Sequence, residues 1–218
     1  MKKILFLCLG AVALLSSCVK KNVPPTGDAH IRFVNAIPGS INQDAYINTT
    51  KVVTNLAFGV QSSYITYTAG INALSITNVG TTISNLTYNY GSNIGDYATV
   101  FFFRSFTGEL ISGGIVDNMT APPAGKARVR FVNLHNYLND SFKMTITGGA
   151  TLFNDLVFSN ASPYFDVDPG TSFTATAATV TNPTVISFNP QAGKIYTIWI
   201  NGASSTELNA YPFIQNYF

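Results

Sequence analysis

Short runs in which apolar and polar residues alternate make up most of this chain, as in Ile31-Arg32-Phe33-Val34-Asn35 and Ile65-Thr66-Tyr67-Thr68. Extended backbone turns successive side chains to opposite faces, so a period of two marks half-buried strands. Strands are predicted at Ile31–Asn35, Ala45–Asn48, Ser63–Thr68, Ala73–Asn78, Leu86–Tyr90, Tyr97–Arg104 and Glu109–Val116. Turn signals separate them at Pro38-Gly39, Ala69-Gly70, Val79-Gly80, Gly91 to Gly95 and Thr107-Gly108. Tyr97 to Phe103 is almost continuously apolar, the pattern of a central strand covered on both faces. No segment sustains a helical period.

The pattern also repeats. Ala29-His30-Ile31-Arg32-Phe33-Val34-Asn35 returns as Ala127-Arg128-Val129-Arg130-Phe131-Val132-Asn133. Leu56-Ala57-Phe58 with Tyr64 and Gly70 returns as Leu156-Val157-Phe158 with Tyr164 and Gly170. Tyr97-Ala98-Thr99-Val100 finds a partner in Tyr196-Thr197-Ile198-Trp199, and Glu109-Leu110 in Glu207-Leu208. Recurrence at a nearly fixed offset means one folding unit in two copies. The expected fold is all-β: two tandem Ig-like antiparallel β-sandwich domains, 29–118 and 127–218. They are joined by a Pro-rich linker, 119–126, in which Pro122-Pro123 cannot enter a ladder.

The first 18 residues have the form of a lipoprotein signal peptide, which is excluded from the fold. Lys2 and Lys3 precede an apolar stretch from Ile4 to Leu15, too short for the roughly 20 residues that span a bilayer. Leu15-Ser16-Ser17-Cys18 resembles a lipobox, which implies cleavage before Cys18 and acyl chains on that residue. Residues 19–28, with Lys20, Lys21, Pro24, Pro25 and Gly27, then form a tether. The expected location is the cell envelope, on the outer membrane of a Gram-negative-type bacterium, because Val19-Lys20 lacks an inner-membrane retention aspartate. Cys8 leaves with the leader and Cys18 is consumed by lipid, so no disulfide or cysteine metal site is expected, and no cofactor beyond the covalent lipid.

Lys2 and Lys3 account for two of the 12 basic residues, leaving the mature chain as basic as it is acidic. That excludes a nucleic-acid partner, which requires a basic face. Only 10% of residues are charged, while Thr, Asn, Ser, Tyr, Phe, Val and Ile abound, the composition of strands.

Ala127 to Asn133, with the approach Asp117-Asn118-Met119 through Pro122-Pro123-Ala124-Gly125-Lys126, resembles the opening of the bacterial family called domain of unknown function 4397. Leu56-Ala57-Phe58-Gly59 followed by Tyr64 and Gly70 is similar to that family's middle motif. The resemblance covers both repeats. It implies an extracytoplasmic β-rich domain, often lipid-anchored and often in tandem, with no established activity and no functional residues to carry over. The second repeat departs from the pattern at Ser159, in place of the glycine seen at Gly59, and at Leu134-His135-Asn136.

Candidate chemistry is sparse. Arg32 and Arg130 alternate with core residues and are expected to point outward, either as a charged edge that deters aggregation or in cross-strand pairs with Glu109 and Glu207. Asp166 and Asp168 share a strand face before Pro169-Gly170, placed for a turn or a shared cation, though no loop supplies the other oxygens calcium needs. His30 and His135, the only histidines, are expected at the surface and lack a nucleophile elbow or zinc spacing nearby. Tyr64, Tyr67, Tyr88, Tyr90, Tyr137, Tyr164, Tyr211 and Tyr217 offer sugar-stacking platforms or strand packing, and Trp199 reads as core.

No catalytic, metal or cofactor-binding residue emerges. The expected role is a non-catalytic binding, adhesion or structural module, anchored through Cys18, with a glycan or envelope protein as ligand. The alternative is an enzyme acting on envelope or extracellular polysaccharide, with its site between the two repeats.

Overall fold

Alternation this regular folds into 16 strands, and no helix occurs among the described residues. The computed structural model describes residues 26–138, 140–180 and 182–215; Cys18 with its leader, residues 19–25 of the expected tether, and Tyr217 lie outside them, while Asp28, placed in the tether from sequence, opens β1. The first half contains β1 (Asp28–Asn35), β2 (Gln43–Ile47), β3 (Thr50–Leu56), β4 (Ile65–Thr68), β5 (Gly70–Asn78), β6 (Ser84–Ser92), β7 (Tyr97–Arg104) and β8 (Leu110–Val116). The second contains β9 (Ala127–Asn133), β10 (Phe142–Ile146), β11 (Thr151–Leu156), β12 (Phe165–Val167), β13 (Phe173–Ala177), β14 (Thr184–Ile186), β15 (Ile195–Asn201) and β16 (Asn209–Ile214).

Each half is a sandwich of two four-stranded sheets. Orders β4-β1-β7-β8 and β3-β2-β5-β6 in the first half correspond to β12-β9-β15-β16 and β11-β10-β13-β14 in the second. Ile31, Phe33, Leu74, Ile76, Val100 and Phe102 fill one sandwich, and Val129, Phe131, Phe142, Phe173, Ile198 and Ile200 the other. One pairing per half departs from the antiparallel expectation: β1 lies parallel to β7, and β9 parallel to β15. Parallel partners need a long crossover, and the whole of β2 to β6 provides it.

Strand β3 was not predicted. The run Thr-Lys-Val-Val-Thr-Asn-Leu breaks its period because the ladder to β2 shifts register twice and Asn55 takes a positive φ of 61°. A bulge of this kind puts two neighbouring side chains on similar footing, and Val52 and Val53 are both half-buried. Asp44 holds the bulge: its carboxylate accepts the Asn55 N–H at 2.9 Å and pairs with Lys51.

Hydrogen bonding by Lys51, then by the Asn55 amide, holds the Asp44 carboxyl below the usual carboxylate range. A depressed folded value stabilises the fold above the unfolded Asp range near pH 3.9 and is lost as pH falls through the folded value. Thermal melts between pH 7 and 2 are therefore expected to fall less steeply for Asp44→Asn than for the unmodified protein. Parallel slopes would refute this role.

The register between halves is tighter than the sequence match. Arg32 faces Thr99 across β1–β7 and Arg130 faces Thr197 across β9–β15, a shift of 98 in both strands. At that shift Tyr97 corresponds to Ile195, and Tyr196 to Ala98, so the expected match of Tyr97 with Tyr196 is off by one residue. A one-residue slip exchanges faces: Tyr196 joins the second sandwich core, while Tyr97 stacks on His30.

The halves do not hang separately on their linker. The outer faces of the two β1-type sheets pack on each other through Val34, Ala36, Phe101, Phe103, Val132, Leu134, Trp199 and Phe213. Four sheets thus stack in sequence, with the β1–β7 and β9–β15 pairs as the two inner layers. This is why β7 and β15 are buried on both faces.

Candidate functional site

The residues singled out from sequence are mostly absorbed by this stacking. Arg32 and Arg130 do not face water; they are 0% and 2% exposed. Their neighbours are backbone carbonyls and a carboxylate of the opposite half, and neither Glu109 nor Glu207 is an ion-pair partner. The expected charged edge is therefore a buried seam, because a second sheet covers the face that alternation leaves pointing outward. Asp117 lies at the centre of that seam. It pairs with Arg130 and accepts hydrogen bonds from Tyr64 Oη at 2.6 Å, Thr99 Oγ1 at 2.7 Å and Gln215 Nε2 at 2.7 Å. The centre of the space between the halves is filled by these groups and by the aromatic packing around Trp199, while at its edge Phe106 of the first half and Asp140, Ser141, Val157 and Phe158 of the second line a concavity of about 410 Å³.

Trp199 is fully buried as expected, but between the halves rather than inside a sandwich. Tyr67 and Tyr90 are core residues, and Tyr64, Tyr164 and Tyr211 are partly buried against the seam. Burial pushes the Tyr90 phenol up to about 12 and the Tyr64 phenol still further, with the Asp117 charge adding to the latter. None of these phenols ionises near neutral pH. Tyr137 is about half exposed, but no aromatic partner packs beside it among the described residues.

Asp166 accepts two hydrogen bonds from Arg128, at 2.7 and 3.1 Å, and Asp168 pairs with Lys126, so both aspartates serve cross-strand ion pairs. Among the described residues no group of three or more His, Cys, Asp or Glu is arranged to hold a metal. His30 stacks on Tyr97 and meets Thr66 Oγ1 at 3.1 Å. His135, expected at the surface, is fully buried; its Nε2–H donates to the Glu207 carbonyl at 2.6 Å.

What sequence reading missed is a polar concavity of about 380 Å³ at one end of the first sandwich. Ile37, Ile41 and Leu110 give it apolar wall, and Ser40, Gln43, Asn78, Asn85 and Arg104 give it polar wall. Three strands aim the amides: Gln43 opens β2, Asn78 closes the neighbouring β5, and Asn85 lies on β6. Gln43 Nε2 donates to the Ile41 carbonyl at 2.6 Å and to Asn78 Oδ1 at 2.9 Å. Asn85 Nδ2 donates to Gln43 Oε1 and to Asn78 Oδ1, at 2.9 and 2.8 Å. This network satisfies the buried Gln43 and leaves over the two Asn78 amide donors and the Asn85 carbonyl oxygen. Arg104 anchors one guanidinium nitrogen on the Gly108 carbonyl at 2.7 Å and has no carboxylate partner among the described residues.

The second half carries different residues at the same place. Pairing with Leu56 and Asn78 sets Gln43 equivalent to Phe142, which pairs with Leu156 and Ala177. Arg104 corresponds to Gly202 and Ile37 to His135, whose ring lies against Gly202. Phenylalanine thus stands where the first half has glutamine, and the His135 ring lies over the glycine that takes the place of Arg104. The amide cluster is therefore no requirement of the fold. The family pattern alone gives no signal for it; comparing repeat with repeat at Gln43/Phe142 and Asn78/Ala177 finds it.

Fold and site define an all-β protein of two stacked sandwiches, with a polar concavity at the end of one. The chain belongs to the family described as Domain of unknown function (DUF4397), whose model matches residues 29–140, the whole first half and the start of the second. No curated protein matches. A solved carbohydrate-binding module, CBMbc (family CBM26) of Eubacterium rectale Amy13K in complex with maltoheptaose, is 11% identical over 84% of this chain and 96% of that one. Its TM-score is 0.26, a superposition too loose to bear on the ligand of this protein.

Proposed function

We propose that this protein is a non-catalytic recognition module for a polyhydroxylated ligand bearing carboxylates, such as an acidic polysaccharide, which it holds at the Arg104 concavity. The observation that carries the reading is the set of groups left over there. Two amide donors and one amide acceptor match hydroxyls, each of which both donates and accepts. A guanidinium without a carboxylate partner matches an acid, since its planar fork suits bidentate pairing. Apolar Ile37 and Leu110 offer a floor for the C–H face of a sugar ring, within a volume suited to a small ligand.

Orientation supports the same reading. β1 begins at Asp28, beside the tether, and runs about 25 Å before reaching Ile37 and Ser40 at the concavity. Acyl chains on Cys18 would hold the protein on an envelope membrane, with the concavity turned away from it.

The test is a binding series with residues 19–218 against polygalacturonate, its methyl ester and dextran. The acidic polymer is expected to bind, and Arg104→Ala to weaken it roughly ten- to hundredfold. Asn78→Ala is expected to weaken the ester as well. Retention of none of the polymers, or unchanged affinity in both variants, would overturn the proposal. Equal palmitate labelling of the natural chain and Cys18→Ala would overturn the anchor.

A further inference from the structure

The contacts between the halves come in matched pairs. Arg32 Nη1 donates to the Ile214 carbonyl at 2.9 Å, and Arg130 Nη1 to the Val116 carbonyl at 2.8 Å. Arg32 Nη2 reaches the Gln215 carbonyl at 2.8 Å, while Arg130 Nη2 reaches the Asp117 carboxylate. Donors and acceptors both differ by 98, the shift that relates the two sandwiches. Within each half the acceptor is held alike: Tyr64 Oη donates to Asp117, and Tyr164 Oη to Gln215 Oε1 at 2.9 Å. Residue i of one half thus meets residue j of the other, and j meets i, which is the signature of an isologous interface about a twofold axis.

On such an axis a residue meets its own equivalent. Asp117 and Gln215 are equivalents, and they touch: Gln215 Nε2 donates to Asp117 Oδ1 at 2.7 Å. We infer that the junction is a homodimer interface enclosed within one chain, that the face each half presents fits a second copy of that half, and that the Asp117–Gln215 pair on its axis selects the mixed pairing. Two first halves would set Asp117 against Asp117, like charges out of water. Two second halves would leave Arg130 facing a neutral amide. The mixed pair alone gives one carboxylate one amide donor and one guanidinium.

The inference is independent of the Arg104 concavity, and its test is an exchange across the axis in the full chain. Asp117→Gln strips Arg130 of its partner, and Gln215→Asp sets two carboxylates on the axis. Each is expected to lower the thermal midpoint by roughly 6–12 °C. In the double variant Arg32 takes the part of Arg130 and Tyr164 that of Tyr64. A twofold junction therefore requires the exchange to recover more than half of the summed loss. A double variant as unstable as the sum overturns the inference, as do two harmless single substitutions. If a single variant does not fold, folding of the double supports the inference and its failure to fold overturns it.

Discussion

Replacement of Asp117 by alanine is expected to destabilise the protein by about 3–5 kcal/mol, the range for breaking a buried ion pair from one side. The side chains of Asp117 and Arg130 are 0% and 3% exposed. Removing the carboxylate leaves a guanidinium in the seam with only Thr197 Oγ1 and the Val116 carbonyl to receive it. It also strands the Tyr64 hydroxyl, the Thr99 hydroxyl and the Gln215 amide, each of which loses its acceptor. A buried donor without a partner carries its full desolvation penalty. Denaturant unfolding of the variant measures the loss, and Asp166→Ala provides the contrast. That aspartate pairs with Arg128 at the partly exposed surface, and surface pairs contribute about 0–1 kcal/mol. Equal losses for the two variants would mean that the seam is wet and the halves are not packed as described.

The second large effect is expected from Trp199→Ala, at about 3–5 kcal/mol for truncating a fully buried aromatic. Its ring stacks on Tyr211 at 4.0 Å between centroids and receives the edge of Phe58 at 6.0 Å. Tyr211 belongs to the same half as Trp199, and Phe58, which packs on both rings, ties the first half to them; neither sandwich core depends on these contacts. The loss is therefore expected to uncouple the halves as well as weaken the whole. Calorimetric and van't Hoff enthalpies, equal in the unmodified protein if it unfolds as one unit, should diverge in the variant. Far-ultraviolet circular dichroism gives the transition, since Trp199 is the single tryptophan. A loss below 1 kcal/mol with one undivided transition would show that Trp199 does not hold the halves together.

Much of the fold is legible from alternation. The bounds of β7 at Tyr97–Arg104 coincide with the expectation, because a strand covered on both faces is apolar throughout and its ends are marked by Gly95 and Ser105. Repetition predicts the two halves, because equal sequences make equal local choices. Alternation failed at β3, where a bulge breaks the period, and at Tyr97, where a one-residue slip passed as a match between two tyrosines. Ser159 shows a quieter departure. It occupies a positive φ of 64°, where its counterpart Gly59 sits at 82° without the strain a Cβ brings.

The concavity was illegible for a different reason. Gln43, Asn78 and Asn85 lie 35 and 7 residues apart along the chain and meet because β2, β5 and β6 are neighbours in one sheet. Amides are so abundant here that no single one stands out, and their grouping follows from strand order.

By itself the sequence determined the regular strands, their turns and the doubling of the unit, though not the bulged β3, because these rest on backbone preferences and on which side of a strand is apolar, both local properties. Only the tertiary structure decided which outward faces meet water. An arginine on the far side of a strand has the same sequence neighbours whether solvent or another sheet lies beyond it. For Arg32 the partner segment lies 182 residues on, and for Arg130 it lies 14 residues back, across the linker; that packing turned an expected surface charge into the centre of the molecule.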